Sequence, residues 1–163
     1  MTSPRLEIDL EAIRDNTKVL VDRLAPRGIR VTGVTKAGLG SPGLARALLC
    51  GGAAGLGDSR VENLGRLRAA EIDGALTLIR TPMLSQVRSV VRHADTSMNT
   101  EGVVLDGLSA AALEQGTIHA VVIMVELGDL REGVPSADVV ALARFVGRRK
   151  GLSLVGLGTN LAC

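Results

Sequence analysis

Residues 120–125 read AVVIMV, apolar at every position. A strand with one face in water alternates apolar and polar side chains. One that is apolar throughout has to be covered on both faces, and that is the mark of a parallel sheet. The run extends as AVVIMVEL (120–127), and five others accompany it: RVTGVT (30–35), AGLG (54–57), LTLI (76–79), DTSM (95–98) and LSLVGL (152–157). The first four begin roughly 20 to 25 residues apart, the period of a strand–helix repeat.

Helical segments with their own punctuation separate the runs. DLEAIRDNTKVLVDRL is amphipathic, with Ile13, Leu20 and Leu24 predicted to face inward. In SPGLARALLCGG, Ser41 stands at the N-cap, Pro42 at the first helical position and Gly51 just past the end. SRVENLGRL pairs Ser59 with Glu62 in a capping box and sets Val61, Leu64 and Leu67 on one side. TPMLSQVRSVV is expected to start at Thr81 and Pro82, with a stripe of Leu84, Val87 and Val91. SADVVALARFVGRRKG caps at Ser136, buries Val139, Leu142 and Val146, and ends in a basic turn that complements the helix dipole.

Six strands in βα order fit either a doubly wound sheet or a (β/α)8 TIM barrel, both of the α/β class. A nucleotide-binding sheet needs a glycine fingerprint after its first strand, and the glycines of KAGLGSPG lack that spacing. The barrel is therefore favoured. Residues 1–163 then make one incomplete barrel domain, truncated to about the first six βα units. Two unpaired strand edges and an uncovered apolar interior are expected, which is an association hazard.

Composition removes several function classes. With one Phe and no Tyr or Trp, the core must come from Leu, Val, Ile and Ala. The net charge of +2 without a basic block gives no nucleic-acid surface. MTSPRLEIDLE lacks the apolar run of a signal peptide, and no stretch is long and apolar enough to span a membrane. Cys50 and Cys163 are far apart with no metal-ligand spacing, Cys50 reading as a small buried apolar residue. These features fit a reducing cytoplasm.

Barrel enzymes carry their chemistry at the C-terminal ends of the strands. Those ends here hold Thr35 and Lys36, Asp58 to Arg60, Arg80 and Thr81, Asn99 and Thr100, Glu126 with Asp129 and Arg131, and Thr159 and Asn160. Taken singly, Lys36 is either a solvated strand end or an amine held at a pocket mouth to attack a carbonyl. Asp129, Arg131 and Glu132 read alternatively as a solvated charge run. Together these groups ring one mouth suited to an anionic, carbonyl-bearing ligand, of which pyridoxal 5'-phosphate is an example. His93 and His119 fall at the opposite ends of the repeats and read as surface or capping residues. No metal site and no Ser–His–acid arrangement is supported.

PRLEIDLEAIRDN followed by VTGVTK resembles the opening of the pyridoxal-phosphate-dependent alanine racemase superfamily (fold type III). VTGVTKAGLGSP, GLGDSRVENLGRLR, LIRTPMLSQV, MVELGDLREGV and GLGTNLAC resemble its ornithine racemase branch, in order and over the whole 163 residues, as an N-terminal portion. The resemblance implies a cytoplasmic homodimer acting on a small amino acid by two-base proton transfer at Cα. It makes Lys36 the Schiff-base lysine and one catalytic base, Arg131 the partner of the cofactor's phenolic oxygen, and Asn160 a ring-facing residue where alanine racemases proper have histidine. Their phosphate-contacting tyrosine corresponds to Gly40 here. The resemblance also places the phosphate cradle and the pyridine-nitrogen partner beyond Cys163, so weak or no turnover is expected of this chain alone. Two readings compete: a non-catalytic pyridoxal-phosphate homeostasis protein, to which GVTK and GDSRVEN have some likeness, and a half-barrel without cofactor. For a diamino substrate such as ornithine, Glu126, Asp129 and Asp58 are the candidate partners of the distal ammonium.

Overall fold

The computed structural model describes residues 4–161, so Cys163 lies outside the described residues. Each predicted apolar run forms a strand: β1 (Thr32–Val34), β2 (Gly55–Asp58), β3 (Leu76–Leu78), β4 (Thr96–Asn99), β5 (His119–Val125) and β6 (Leu152–Thr159). All neighbours pair parallel, in the order β1-β2-β3-β4-β5-β6. A doubly wound sheet reverses strand order at a switch point, whereas this sheet never reverses, and sequential winding is the topology of a barrel. β1 and β6 are its edges. Val34, Val155 and Leu157 stand exposed on them.

The two faces of the sheet differ in composition. Leu56, Leu76, Leu78, Val121 and Ile123 point to one side, where they are buried against Leu64, Leu67, Val90, Leu105, Leu108 and Val146 from the helices. Thr77, Thr96, Met98 and Val122 line a cavity on the other side. AVVIMV thus serves two environments at once, which is why it shows no polar alternation.

The helices are α1 (Leu10–Leu24), α2 (Pro42–Cys50), α3 (Val61–Ala69), α4 (Val87–His93), α5 (Gly102–Glu114) and α6 (Val139–Gly147). Several local expectations are corrected. α1 buries Thr17 rather than Leu20, which is exposed, because it lies close against the end of α2. A Cβ at Gly51 would fall 2.6 Å from the Thr17 Cβ, so a small residue is needed on α1 there. Cys50, the last residue of α2, is exposed and not buried. α4 begins after a 3₁₀ turn (Leu84–Gln86), which leaves Leu84 exposed while Val90 and Val91 are buried. α6 likewise follows a 3₁₀ turn (Ser136–Asp138) and is capped at Asp138 rather than Ser136. α5 had no sequence signature. It lacks a side-chain cap and buries Val104, Leu105, Leu108, Ser109, Ala111 and Ala112, nearly all around, so no single stripe marks it.

Candidate active site

The opening of the β1–α2 loop is fixed from below. Thr35 is fully buried, its amide donates to the Gly57 carbonyl at 2.9 Å, and its hydroxyl donates to Asp58 Oδ2 at 2.7 Å. Asp58 Oδ1 accepts from the Arg60 amide and from Asn63 Nδ2, each at 3.0 Å. The Ser59–Glu62 capping box does not form: the N-cap of α3 is Arg60, without a side-chain cap bond. The carboxylate of Asp58 satisfies the start of α3 instead, and the same group anchors the residue before Lys36. Its oxygens are occupied, so Asp58 is removed as a partner for a substrate ammonium.

After Thr35 the chain makes one 3₁₀ turn, Lys36–Gly38, and passes through Leu39 at φ +53° and Gly40 at φ +66°. Left-handed backbone disfavours a branched side chain such as leucine. Here it is held by the Leu39 amide on the Lys36 carbonyl and by the Arg66 guanidinium on the Leu39 carbonyl. A Cβ at Gly40 would lie 2.7 Å from the Asn63 Cβ. The place where the resemblance puts a tyrosine is therefore closed to any side chain in this backbone.

On the other side of the mouth, the chain leaves β5 at Val125 and returns to it at once. The Val134 amide donates to the Met124 carbonyl at 2.8 Å, and the Glu126 amide to the Val134 carbonyl at 2.9 Å. Glu126 Oε1 accepts from the amides of Gly128 and Leu130, and these backbone donors, Leu130 first, hold its carboxyl below the usual range. Glu126 thus fastens its own loop and is not free for a ligand. Asp129 is nearly buried, and its Oδ2 lies 3.5 Å from a guanidinium nitrogen of Arg131. At that distance the contact is electrostatic, and Oδ2 has no hydrogen-bond partner. Asp129 and Arg131 are an ion pair, not a solvated charge run.

These loops border a cavity of about 470 Å³ that runs along the inner face of the sheet to its C-terminal end. Lys36, Arg131 and Asn160 all line it, so the three residues singled out from the sequence come together in space. Val34, Ile79, Met98 and Val122 supply apolar walls, and Thr77 and Thr96 add hydroxyls. Asn160 follows Thr159, whose hydroxyl donates to the Val125 carbonyl at 3.0 Å and ties the end of β6 to β5. Thr81 is no helix cap: its hydroxyl meets that of Thr100 at 3.2 Å.

Glu132 was the residue missed. It lines the cavity, and its Oε2 accepts a long 3.5 Å bond from the Thr81 amide. Its one visible signal in the sequence was adjacency to Arg131. The histidines lie away from the cavity. His93 ends α4, half-buried. His119 is neither surface nor cap: it is buried at the start of β5, with Nε2 2.9 Å from Ser97 Oγ. Among the described residues no group of three or more His, Cys, Asp or Glu can hold a metal ion, and no helix is long and apolar enough to cross a membrane.

Comparison with known proteins agrees with this fold. Residues 8–163 match the family model described as alanine racemase, N-terminal domain. A lysine racemase of Thermotoga maritima is 36% identical over 163 residues, which are 100% of this chain and 45% of the relative. An ornithine racemase of Acetoanaerobium sticklandii is 33% identical, over 98% of this chain and 45% of the relative. Among solved structures, an alanine racemase from Streptomyces lavendulae superposes with a TM-score of 0.81 at 29% identity, over 96% of this chain and 42% of that one. The chain therefore spans about 45% of the length of these curated relatives.

Proposed function

The chain belongs to the alanine racemase N-terminal domain family, and from that premise we propose that it forms the first part of the barrel of a pyridoxal-phosphate-dependent amino acid racemase. The observation that carries this reading is the convergence of Lys36, Arg131 and Asn160 on one cavity at the C-terminal end of the strands.

The residues present fit the cofactor. An aldehyde carbon needs an amine, an anionic ring substituent needs a cation, and a flat aromatic ring needs apolar walls. Lys36, Arg131 and the Val34–Ile79–Met98–Val122 lining meet those needs in that order. When bound, the cofactor supplies a conjugated electron-withdrawing ring that makes the Cα proton of an attached amino acid acidic. Lys36 would hold the cofactor through its Nζ, and the same amine, when not so engaged, would serve as the base or acid for the Cα proton on one face. Arg131, paired with Asp129, would offer charge-assisted hydrogen bonds to the ring's oxygen anion. Asn160 contributes a neutral polar contact at the same wall.

Racemisation needs a second proton carrier on the opposite face. The chain contains no tyrosine. Apart from Lys36, the titratable groups lining the cavity are Arg131 and Glu132. We therefore expect these 163 residues by themselves to racemise weakly or not at all. The substrate class we favour is an α,ω-diamino acid, on the likeness to a lysine and an ornithine racemase.

The test uses the three lysines of the chain, Lys18, Lys36 and Lys150, as competitors. After incubation with pyridoxal phosphate and borohydride, peptide mass mapping should place the label on Lys36. A label on Lys18 or Lys150 alone, or none, overturns the reading.

A further inference from the structure

We infer that Glu132 is the specificity-determining residue for the side chain of the substrate: its carboxylate receives the distal ammonium of an α,ω-diamino acid. The inference rests on the racemase reading and names the group that sets its substrate class.

Elimination and placement carry it together. An ammonium drawn into a partly apolar cavity has to meet an anion, because an unpaired charge there is costly. Asp58, Glu126, Asp129 and Glu132 are the acidic residues at the end of β2 and in the β5 loop. Asp58 is buried with both oxygens engaged by Thr35, the Arg60 amide and Asn63. Glu126 is tied by one oxygen to the backbone of its own loop and Asp129 is paired with Arg131, and neither lines the cavity. Glu132 remains. Of the residues that line the cavity, it is the one acidic side chain. It makes no ion pair among the described residues, and its single hydrogen bond is the 3.5 Å contact with the Thr81 amide.

The loop gives Glu132 little freedom to leave. Val134 rejoins β5, and a Cβ at the intervening Gly133 would lie 2.5 Å from the Glu126 amide nitrogen, so the backbone passes in close contact with the strand end. Glu132 is thus held beside Arg131 and reaches the segment that follows β3, where the Thr81 amide meets its carboxylate. The apolar groups Val34, Ile79, Met98 and Val122 line the same cavity as Lys36 and Glu132 and suit a chain of methylenes.

L-Ornithine and L-norvaline share a backbone and chain length and differ by the distal ammonium, so the ratio of their affinities isolates that group. Binding of each would be measured by calorimetry on the chain and on Glu132→Gln, with and without pyridoxal phosphate. Glutamine keeps an acceptor for the Thr81 amide and removes the charge. The expected result is that the chain prefers ornithine by about tenfold or more, as a charge-assisted contact gives. Glu132→Gln should lose that preference while norvaline binding and Lys36 labelling stay unchanged, and added salt should weaken the preference in the chain itself.

Equal affinity for the two amino acids, binding of neither, or an undiminished preference in Glu132→Gln overturns the inference. So does an equal loss for both ligands, since that marks Glu132 as a counter-ion of Lys36. A chain that never takes the cofactor on Lys36, yet shows the preference and loses it in Glu132→Gln, sinks the racemase reading and leaves the ammonium site standing.

Discussion

Asp58 and His119 show how a buried polar side chain can be costly alone and stabilising in place. Asp58 has no cationic partner among the described residues, and three donors converge on its two oxygens. Asp58→Ala leaves those donors unpaired and should lower stability in urea by about 2–4 kcal/mol. Asp58→Asn should lose less, because its oxygen still serves Arg60 and Asn63 while Thr35 can turn to accept. Borohydride labelling of Lys36 should fall with Asp58→Ala and recover in Asp58→Asn. His119 titrates at about 4, lowered first by burial, with Asp95 pulling weakly the other way. In the unfolded chain it titrates near 6.5, so between these values the unfolded state binds more protons. The stability it protects is complete above that upper value and is lost as pH falls toward 4. The loss is about 3 kcal/mol. Unfolding free energies of the chain should show this extra decline relative to His119→Gln; parallel pH profiles for the two would refute it. Lysine at a strand end could be read from the sequence as special. The occupation of Asp58 could not, because one of its partners, Thr35, comes from the end of β1, 23 residues earlier.

The elements divide by how local their causes are. α2 announces itself with Ser41, Pro42 and Gly51, and α3 with the stripe Val61, Leu64 and Leu67; both stand where expected. α5 has no such signals, since a helix buried nearly all round needs no stripe and gives none. The start of α4 was misplaced because Thr81 and Pro82 look like a helix entry, while the Thr81 hydroxyl is drawn to Thr100 on the neighbouring strand loop. The loop from Leu127 to Gly133 is the element on which the site depends most. Gly133→Ala brings a Cβ within 2.8 Å of the Glu126 Cα and forces the strand ends apart. We expect a cost of about 1–3 kcal/mol, as for overpacking elsewhere. The ornithine preference should fall with it, read by urea titration and calorimetry on one preparation. An unchanged preference would show that the loop is not what holds Glu132.

Among the described residues the six parallel strands form one sheet with β1 and β6 as its edges, and Val155 and Leu157 stand exposed on β6. Such edges recruit other strands. The isolated chain should therefore sediment as increasingly large species as its concentration rises. Val155→Lys with Leu157→Lys should hold it as one slow species over the same range; identical behaviour of the two would locate the contact elsewhere. The sequence by itself determined the six strands, their parallel pairing and the candidacy of Lys36, Arg131 and Asn160, because hydrophobic pattern, period and strand-end chemistry are written along the chain. Only the tertiary structure decided which charges are free. A carboxylate is available to a ligand when it faces the cavity without an ion pair of its own, and both conditions are set by strands and loops brought together in space. Asp58, Glu126 and Asp129 are equal candidates by residue type, and the fold ties each to other partners and leaves it outside the cavity that Glu132 lines.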